Sequence, residues 1–339
     1  MIIRLSSIGD IILTTAVVRS VKKQFPDARI TYLIKKEFVD LVKHNPNIDQ
    51  IFTVDKSLGS DGLKELKKTI RKEKFDWIID LHKNLRSIYL KRCSGAVYKT
   101  TYPKLIFKRT LLVKFGINLY KTISPVYLRY FEAVKKAGVS YDNSGTDVFY
   151  TAEDENYVKE KLLKEGLDNT TTIIVLCPGA KHFTKQWLPE RFIEVAKKLI
   201  ADYKCTICLA GGNDDRQLCE DIGKAVGQGV INMAGSLSLL QSAALLKMAK
   251  LVVVNDSGLM HLAQSQKTPV LAIFGSTTKE LGFFPLQEKS IVVEYPVSCR
   301  PCTHIGREKC PKGHFKCMKE IQVEDVIRGI EDLNDRSKG

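Results

Sequence analysis

Short apolar runs alternate along the chain with stretches in which apolar residues return every three or four positions. In the first half, Met1–Leu5, "RITYLIK" (29–35), "DQIFTVD" (49–55) and "FDWIIDLH" (75–82) read as strands. After the first of these, Ile11, Ile12, Val18, Val21 and Phe25 recur at helical spacing, and 62–73 reads as a second helix. Residues 83–125 look loop-rich, and a helix is predicted over 126–137. The second half repeats the alternation, with helices over 153–165, 189–202, 214–226 and 238–249. Its strands fall at 171–179, 205–212, the short "VINMAG", 251–258 and 269–277. Strands alternating with helices predict βαβ units and parallel sheets, hence an α/β fold in two blocks. The expected domains are 1–160 and 161–322, followed by a helical segment over 323–339 that returns to the first domain.

The 339 residues are enough for two cores, and 44% hydrophobic with 27% charged residues is the composition of a globular protein. No apolar run reaches the length of a membrane span, and Arg4 with the polar loop after it does not make a secretory signal. A cytoplasmic location is expected.

Charge changes the picture more. The formal net charge is +15, and residues 1–150 carry 28 Lys/Arg against 14 Asp/Glu. Between Asp80 and Glu132 there is no acid at all, but there are eleven Lys/Arg, interleaved with Tyr89, Tyr98, Tyr102, Phe107, Phe115 and Tyr120. Such a one-sided stretch calls for an anionic partner: nucleic acid, an anionic membrane or a phosphorylated glycolipid.

Neither G-x-G-x-x-G nor G-x-x-x-x-G-K-[ST] occurs, which disfavours a standard dinucleotide fingerprint and a Walker NTPase. The junctions where strands hand over to helices carry the candidate chemistry, since ligands of open α/β sheets bind there. In "SSIGD" (6–10), Gly9 permits a tight turn and Asp10 either caps the helix or presents a general base. In "PGAKHFTKQWLPERF", Gly179, Lys181, Thr184 and Lys185 suit nucleotide phosphates, or else form a solvated loop. In "NDSGLMHLAQ", Asp256 and Ser257 crowd a helix start that favours phosphate, with His261 within reach; a plain cap with a packed histidine is the alternative. "FGSTT" (274–278) is a weaker signal of the same kind.

Five of the nine cysteines are scattered in apolar settings. The other four, Cys299, Cys302, Cys310 and Cys317, form C-x2-C-x7-C-x6-C, with His304 and His314 nearby. Structural zinc or iron, two disulfides and free thiols are the alternatives, and a reducing compartment disfavours disulfides.

These blocks resemble, in the same order, those of the ADP-heptose:lipopolysaccharide heptosyltransferases, glycosyltransferase family 9. The matching stretches are "IIRLSSIGDIILTTAVVRSVKKQFP", "PGAKHFTKQWLPERF", "NDSGLMHLAQSQKTPVLAIFGST" and "CRPCTHIGREKCPKGHFKCM". The resemblance implies a GT-B architecture of two Rossmann-like domains, the first receiving the acceptor and the second holding a nucleotide-sugar. It implies inverting transfer that needs no metal or other cofactor, with Asp10 as general base and Lys185 on the donor phosphate or sugar. Gly9, Gly179, Lys181, Thr184, Leu237, Asp256, Ser257, Gly258, Leu259 and His261 are the implied donor-site positions, Leu237 lying against adenine. "GGNDDR" stands where some members carry a nucleotide-contacting glutamate, and Ala180-Lys181 where some carry a threonine pair.

The implied partners are ADP-heptose and an anionic lipopolysaccharide acceptor at the cytoplasmic face of the inner membrane. Lys83, Arg86, Lys104, Lys108 and Arg109 are the expected acceptor contacts. Another nucleotide-sugar, or a protein or glycan acceptor, is the alternative within the class. A nucleic-acid-binding protein is the alternative outside it, although no DNA- or RNA-binding motif is present.

Overall fold

In the computed structural model, which describes residues 1–55, 59–168, 170–285 and 289–336, strands and helices alternate as the pattern requires. The first stretch runs β1 (Ile2–Ile3), α1 (Ile8–Gln24), β2 (Thr31–Lys35), β3 (Gln50–Val54), α2 (Gly59–Lys72), β4 (Trp77–Asp80), α3 (Leu85–Cys93) and β5 (Tyr98–Thr101). Next come α4 (Ile106–Phe115), α5 (Val126–Phe131), α6 (Ala152–Lys164), β6 (Ile173–Cys177), α7 (Pro189–Tyr203), β7 (Thr206–Leu209) and α8 (Arg216–Val226). The chain continues through β8 (Val230–Asn232), α9 (Leu239–Met248), β9 (Leu251–Asn255), α10 (Gly258–Ser265), β10 (Val270–Phe274), β11 (Ser290–Glu294), α11 (Lys316–Lys319) and α12 (Val323–Arg336).

The elements fall into two compact units. One comprises Met1–Leu105 with Ser124–Phe149, the other Ile106–Ile123 with the chain from Tyr150 onward. The expected boundary at 160 lies inside α6, which cannot be divided. Thr151 starts that helix with a reciprocal capping box to Asp154, and α6 packs on α9 of the second unit.

The first unit is a parallel sheet in the order β3-β2-β1-β4-β5. Strand order reverses beside β1, so the crevice beyond the carboxyl ends of β1 and β4 is its switch point. Helix α1 is buried on almost every side. Two of its hydroxyls are satisfied locally: Thr14 Oγ1 and Thr15 Oγ1 donate to the carbonyls of Ile11 and Ile12 at 2.7 and 2.6 Å.

The second unit is a parallel sheet ordered β11-β10-β9-β6-β7-β8, with its switch point between β6 and β9. The runs IIVLC, LVVVN and VLAIF are buried throughout, as strands covered on both faces must be. The C-terminal helix α12 belongs to the second unit. Val323, Val326, Ile330 and Leu333 of α12 are buried in the second unit's own core with Leu271 and Ile273. At Gly329 a Cβ would stand 2.7 Å from Leu271 Cδ1, so a larger residue there would push that leucine aside. Residues 337–339 of the expected helix lie outside the described residues.

Residues 83–125 are more ordered than the pattern predicts. They hold α3, β5 and α4. β5 and β11 are edge strands with partly exposed side chains, and β5, reading Tyr-Lys-Thr-Thr, lacks the apolar run that marks a central strand. Among the described residues no helix is long and apolar enough to cross a membrane.

Candidate active site

β1 ends in Arg4-Leu5-Ser6-Ser7, and α1 begins at Ile8 with Ser7 at its cap position. Asp10 therefore stands inside the first turn, where a carboxylate is favoured by the helix dipole. Its Oδ1 accepts from Arg4 Nη2 at 2.6 Å and from the Tyr130 hydroxyl at 2.9 Å; Ser7 Oγ donates to Oδ2 at 3.2 Å. Arg4 is itself fixed, donating through Nε to Ser6 O at 2.8 Å and through Nη1 to Leu81 O at 2.5 Å. Burial pulls the Arg4 pKa down, but Asp10 and the neighbouring tyrosines outweigh it and hold the guanidinium firmly charged. Burial raises the Tyr130 hydroxyl well above its ordinary value, so it remains a donor.

The adjoining β4–α3 turn is organised by Asp80, fully buried, whose Oδ1 accepts from the backbone N–H groups of His82 and Lys83 at 3.0 and 2.8 Å. This turn brings His82 into the electrostatic reach of Asp10 and Arg4. Burial first, then Arg4 and Lys104, pushes the His82 pKa down to about 4. Its Nδ1 is buried with no hydrogen-bond partner. Lys104 Nζ donates to the carbonyls of His82 and Lys83, both at 3.3 Å, and Lys83 Nζ to Tyr102 O at 3.4 Å. Two of the expected acceptor contacts, Lys83 and Lys104, thus meet at the switch point with Asp10. Arg86 lies exposed on α3, while Lys108 and Arg109 belong to α4 and hence to the other unit.

In the second unit the loops after β6, β9 and β10 converge. Lys185 Nζ lies 2.7 Å from Asp256 Oδ2, which also accepts from Thr277 Oγ1 at 2.6 Å. Asn255 fixes both flanks of the lysine loop, donating to Pro178 O at 2.7 Å and accepting from Trp187 N at 3.1 Å. Ser257 caps α10, yet its hydroxyl is buried without a partner, at the end of a helix whose first N–H groups favour an anion. Gly258 and Leu259 open that helix half-exposed. His261 is buried, its Nδ1 3.2 Å from Gln264 Oε1, which suits a packed histidine. Leu237 is half-exposed immediately before the capped start of α9.

Two of the expected donor positions brace the loop. Thr184 is buried, and its hydroxyl accepts from Arg307 N at 2.8 Å and from Ser276 Oγ at 3.0 Å, tying three loops together. Gly179 leaves room for the Asp215 carboxylate, which a Cβ at that position would strike. Lys181 is exposed on the same loop, and Gly9 is buried in the first turn of α1.

The four clustered cysteines are free thiols. They are near enough that Cys299, Cys302 and Cys310 raise the Cys317 pKa, which burial chiefly, against the opposing pull of Arg300, pushes up to about 11. Cys299 Sγ is 3.8 Å from His314 Nε2. Among the described residues, however, no three His, Cys, Asp or Glu side chains converge as a metal site requires.

The family model for glycosyltransferase family 9 (heptosyltransferase) matches residues 63–312. The chain belongs to this family. Within glycosyltransferase family 9, it is 25% identical to the lipopolysaccharide core heptosyltransferase OpsX of Haemophilus influenzae, over 98% of this chain and 96% of that one. The crystal structure of a family 9 glycosyl transferase from Veillonella parvula superposes with a TM-score of 0.83 at 27% identity, covering 98% of this chain and 96% of its own. The ADP-heptose lipopolysaccharide heptosyltransferase II of Escherichia coli shares the fold, with a TM-score of 0.76 at 20% identity over 100% and 99% of the two chains. The two parallel sheets described above are the family's α/β architecture, and the chain is a glycosyltransferase of the heptosyltransferase family.

Arg4, Tyr130 and His82 were not among the residues expected at the site. Arg4 had a signal, a lone charge in an otherwise apolar strand. Tyr130 lies 120 positions from Asp10 and had none.

Proposed function

We propose that this enzyme transfers heptose from ADP-heptose to an inner-core acceptor of lipopolysaccharide, with inversion at the anomeric carbon. Asp10 takes the proton of the acceptor hydroxyl, whose oxygen attacks the anomeric carbon as the bond to the diphosphate breaks. Lys185, oriented by Asp256, and the Ser257 end of α10 offset the charge that develops on the departing ADP. Lys83 and Lys104 near Asp10 suit an acceptor bearing phosphates or acidic sugars. No metal or other cofactor has a part in this scheme. The acceptor is a membrane glycolipid, so the enzyme works peripherally at the cytoplasmic face of the inner membrane.

The observation that carries the reading is the Asp10 carboxylate, fixed at the first sheet's switch point by Arg4 and Tyr130. OpsX of H. influenzae and heptosyltransferase II of E. coli support the choice of donor and acceptor by what they are named for. The test is transfer from ADP-heptose to a deep-truncated lipopolysaccharide, followed by ADP release and acceptor mass, with wild type beside Asp10→Ala. Expected is acceptor-dependent transfer that falls by about 10²–10⁴ in the variant while donor binding persists. Undiminished transfer by the variant would reduce Asp10 to a structural carboxylate, and wild type inactive with ADP-heptose but active with another nucleotide-sugar would replace the donor.

A further inference from the structure

Several large apolar side chains of the second unit face water, and they lie close together in sequence. Phe107 is 71% exposed and Phe115 67%, at the two ends of α4, while Leu112 between them is buried and anchors the helix. The chain that follows exposes Ile117, Leu119 and Ile123. A second, distant stretch joins them: Ile305, 55% exposed, shares the lining of one cleft with Val113, Lys114, Phe115, His304 and Arg307. Soluble proteins seldom leave such a group uncovered without a partner.

The charge around these side chains is predominantly positive. Residues 106–123 hold Lys108, Arg109, Lys114 and Lys121 and no acid. Residues 299–317 hold five Lys/Arg against Glu308. Protein–protein interfaces deplete their centres of charge, and of lysine above all. Apolar side chains interleaved with cations instead match the boundary between lipid headgroups and acyl chains, where rings and aliphatic groups sink and ammonium groups stay with the phosphates.

We propose that α4, the segment 115–123 and the loop around Ile305 form a membrane-docking surface, with Phe107 and Phe115 entering an anionic bilayer. This deepens the proposed function and rests on it only in the choice of surface: it names the element that brings the enzyme to a membrane-borne acceptor. Docking requires two terms together, phosphate attraction by the lysines and insertion by the aromatics.

The experiment is sedimentation of the full-length enzyme with vesicles of phosphatidylethanolamine and phosphatidylglycerol, or of phosphatidylcholine alone, at low and high salt. A Phe107→Trp reporter is read for blue shift and for quenching by brominated lipid. Expected is binding to the anionic vesicles alone, weakened by salt, with about fivefold loss for each of Lys114→Gln and Lys121→Gln. Phe107→Ser combined with Phe115→Ser should lower binding at least as much, whereas Leu163→Ser, an equally exposed residue on α6, should leave it unchanged. Circular dichroism of each variant checks that the fold survives.

No anionic binding, binding indifferent to the two phenylalanines, or an unquenched Phe107→Trp would each overturn the proposal. So would a dimer in free solution that the same double variant abolishes, because the surface would then serve a second copy. Transfer to a water-soluble acceptor, measured alongside, keeps the two readings apart: activity without vesicle binding sinks the docking surface alone, and vesicle binding without any nucleotide-sugar binding sinks the transferase scheme alone.

Discussion

Tyr130 donates its hydroxyl hydrogen to Oδ1 of Asp10, the same oxygen that Arg4 grips from the other side, at 2.9 and 2.6 Å respectively. Two donors on one oxygen fix the carboxylate plane, while Oδ2 has the longer contact to Ser7. The arrangement orients the proposed base. Tyr130→Phe should lower kcat/KM about tenfold, the worth of one hydrogen bond to a charged group. Arg4→Met should lower it further, because Arg4 donates to the same oxygen at the shorter distance. A Tyr130→Phe variant as active as wild type would mean that Tyr130 serves packing only.

Lys185 and Asp256 form a largely enclosed pair, 15% and 6% exposed. Removing one partner leaves the other charge without its counterpart, so Lys185→Met should cost about 3 kcal/mol in urea unfolding. Lys185→Met with Asp256→Leu should recover much of that stability and none of the activity. Additive losses in the double-mutant cycle would show that the two groups do not interact.

Gly179 and Asp215 compete for one space. Gly179→Ala should destabilise the enzyme by about 1–3 kcal/mol, since the new Cβ collides with the Asp215 carboxylate. Shortening the second residue, in Gly179→Ala with Asp215→Ala, should relieve it. If the single variant is as stable as wild type, the loop after β6 is softer than its contacts imply.

His82 makes stability depend on pH. Its folded pKa of about 4 lies below the ordinary 6.5, so between these values the unfolded chain binds more protons than the folded one. Stability therefore rises as pH climbs from 4 to 6.5 and is lost on acidification through that window. The contribution is on the order of 1–2 kcal/mol once solvent screening is allowed for. His82→Gln should flatten this part of a thermal-melt series. An unchanged slope would assign the acid sensitivity to other groups.

The cysteine segment is tested by its metal content. A structural ion held by Cys299, Cys302, Cys310 and Cys317 would give one zinc or iron per chain in enzyme purified without chelator, and would shield these thiols from a maleimide until it is removed. No metal, with the thiols of Cys299, Cys302 and Cys310 reactive in the native enzyme, would leave the free-thiol alternative.

What the sequence made legible follows from how far each signal reaches. The central strands are continuous apolar runs, so β6, β9 and β10 were plain, and with them the parallel sheets and the junctions bearing Asp10, Lys185 and Asp256. The edge strand β5 was not, because Tyr-Lys-Thr-Thr carries no such run. Thr184 and Gly179 looked like ligand contacts, since a hydroxyl or a glycine on a phosphate-type loop has the same local appearance whether it faces a ligand or braces the loop. The Arg307 backbone that occupies Thr184 lies 123 positions away, beyond the reach of any local pattern.

Helix α12 has a consequence for how the protein is made. Ile330 and Leu333 complete a core whose other walls, Leu176, Phe192, Val253 and Leu271, were synthesised long before. The residues of the first unit are all synthesised once Phe149 has emerged, so it can fold as it leaves the ribosome. The second holds Leu271 and Ile273 uncovered until α12 has emerged. A nascent chain stalled before α12 would leave Leu271 and Ile273 open to chaperones and proteases, so translation speed through the last hundred or so codons bears on yield as directly as stability does.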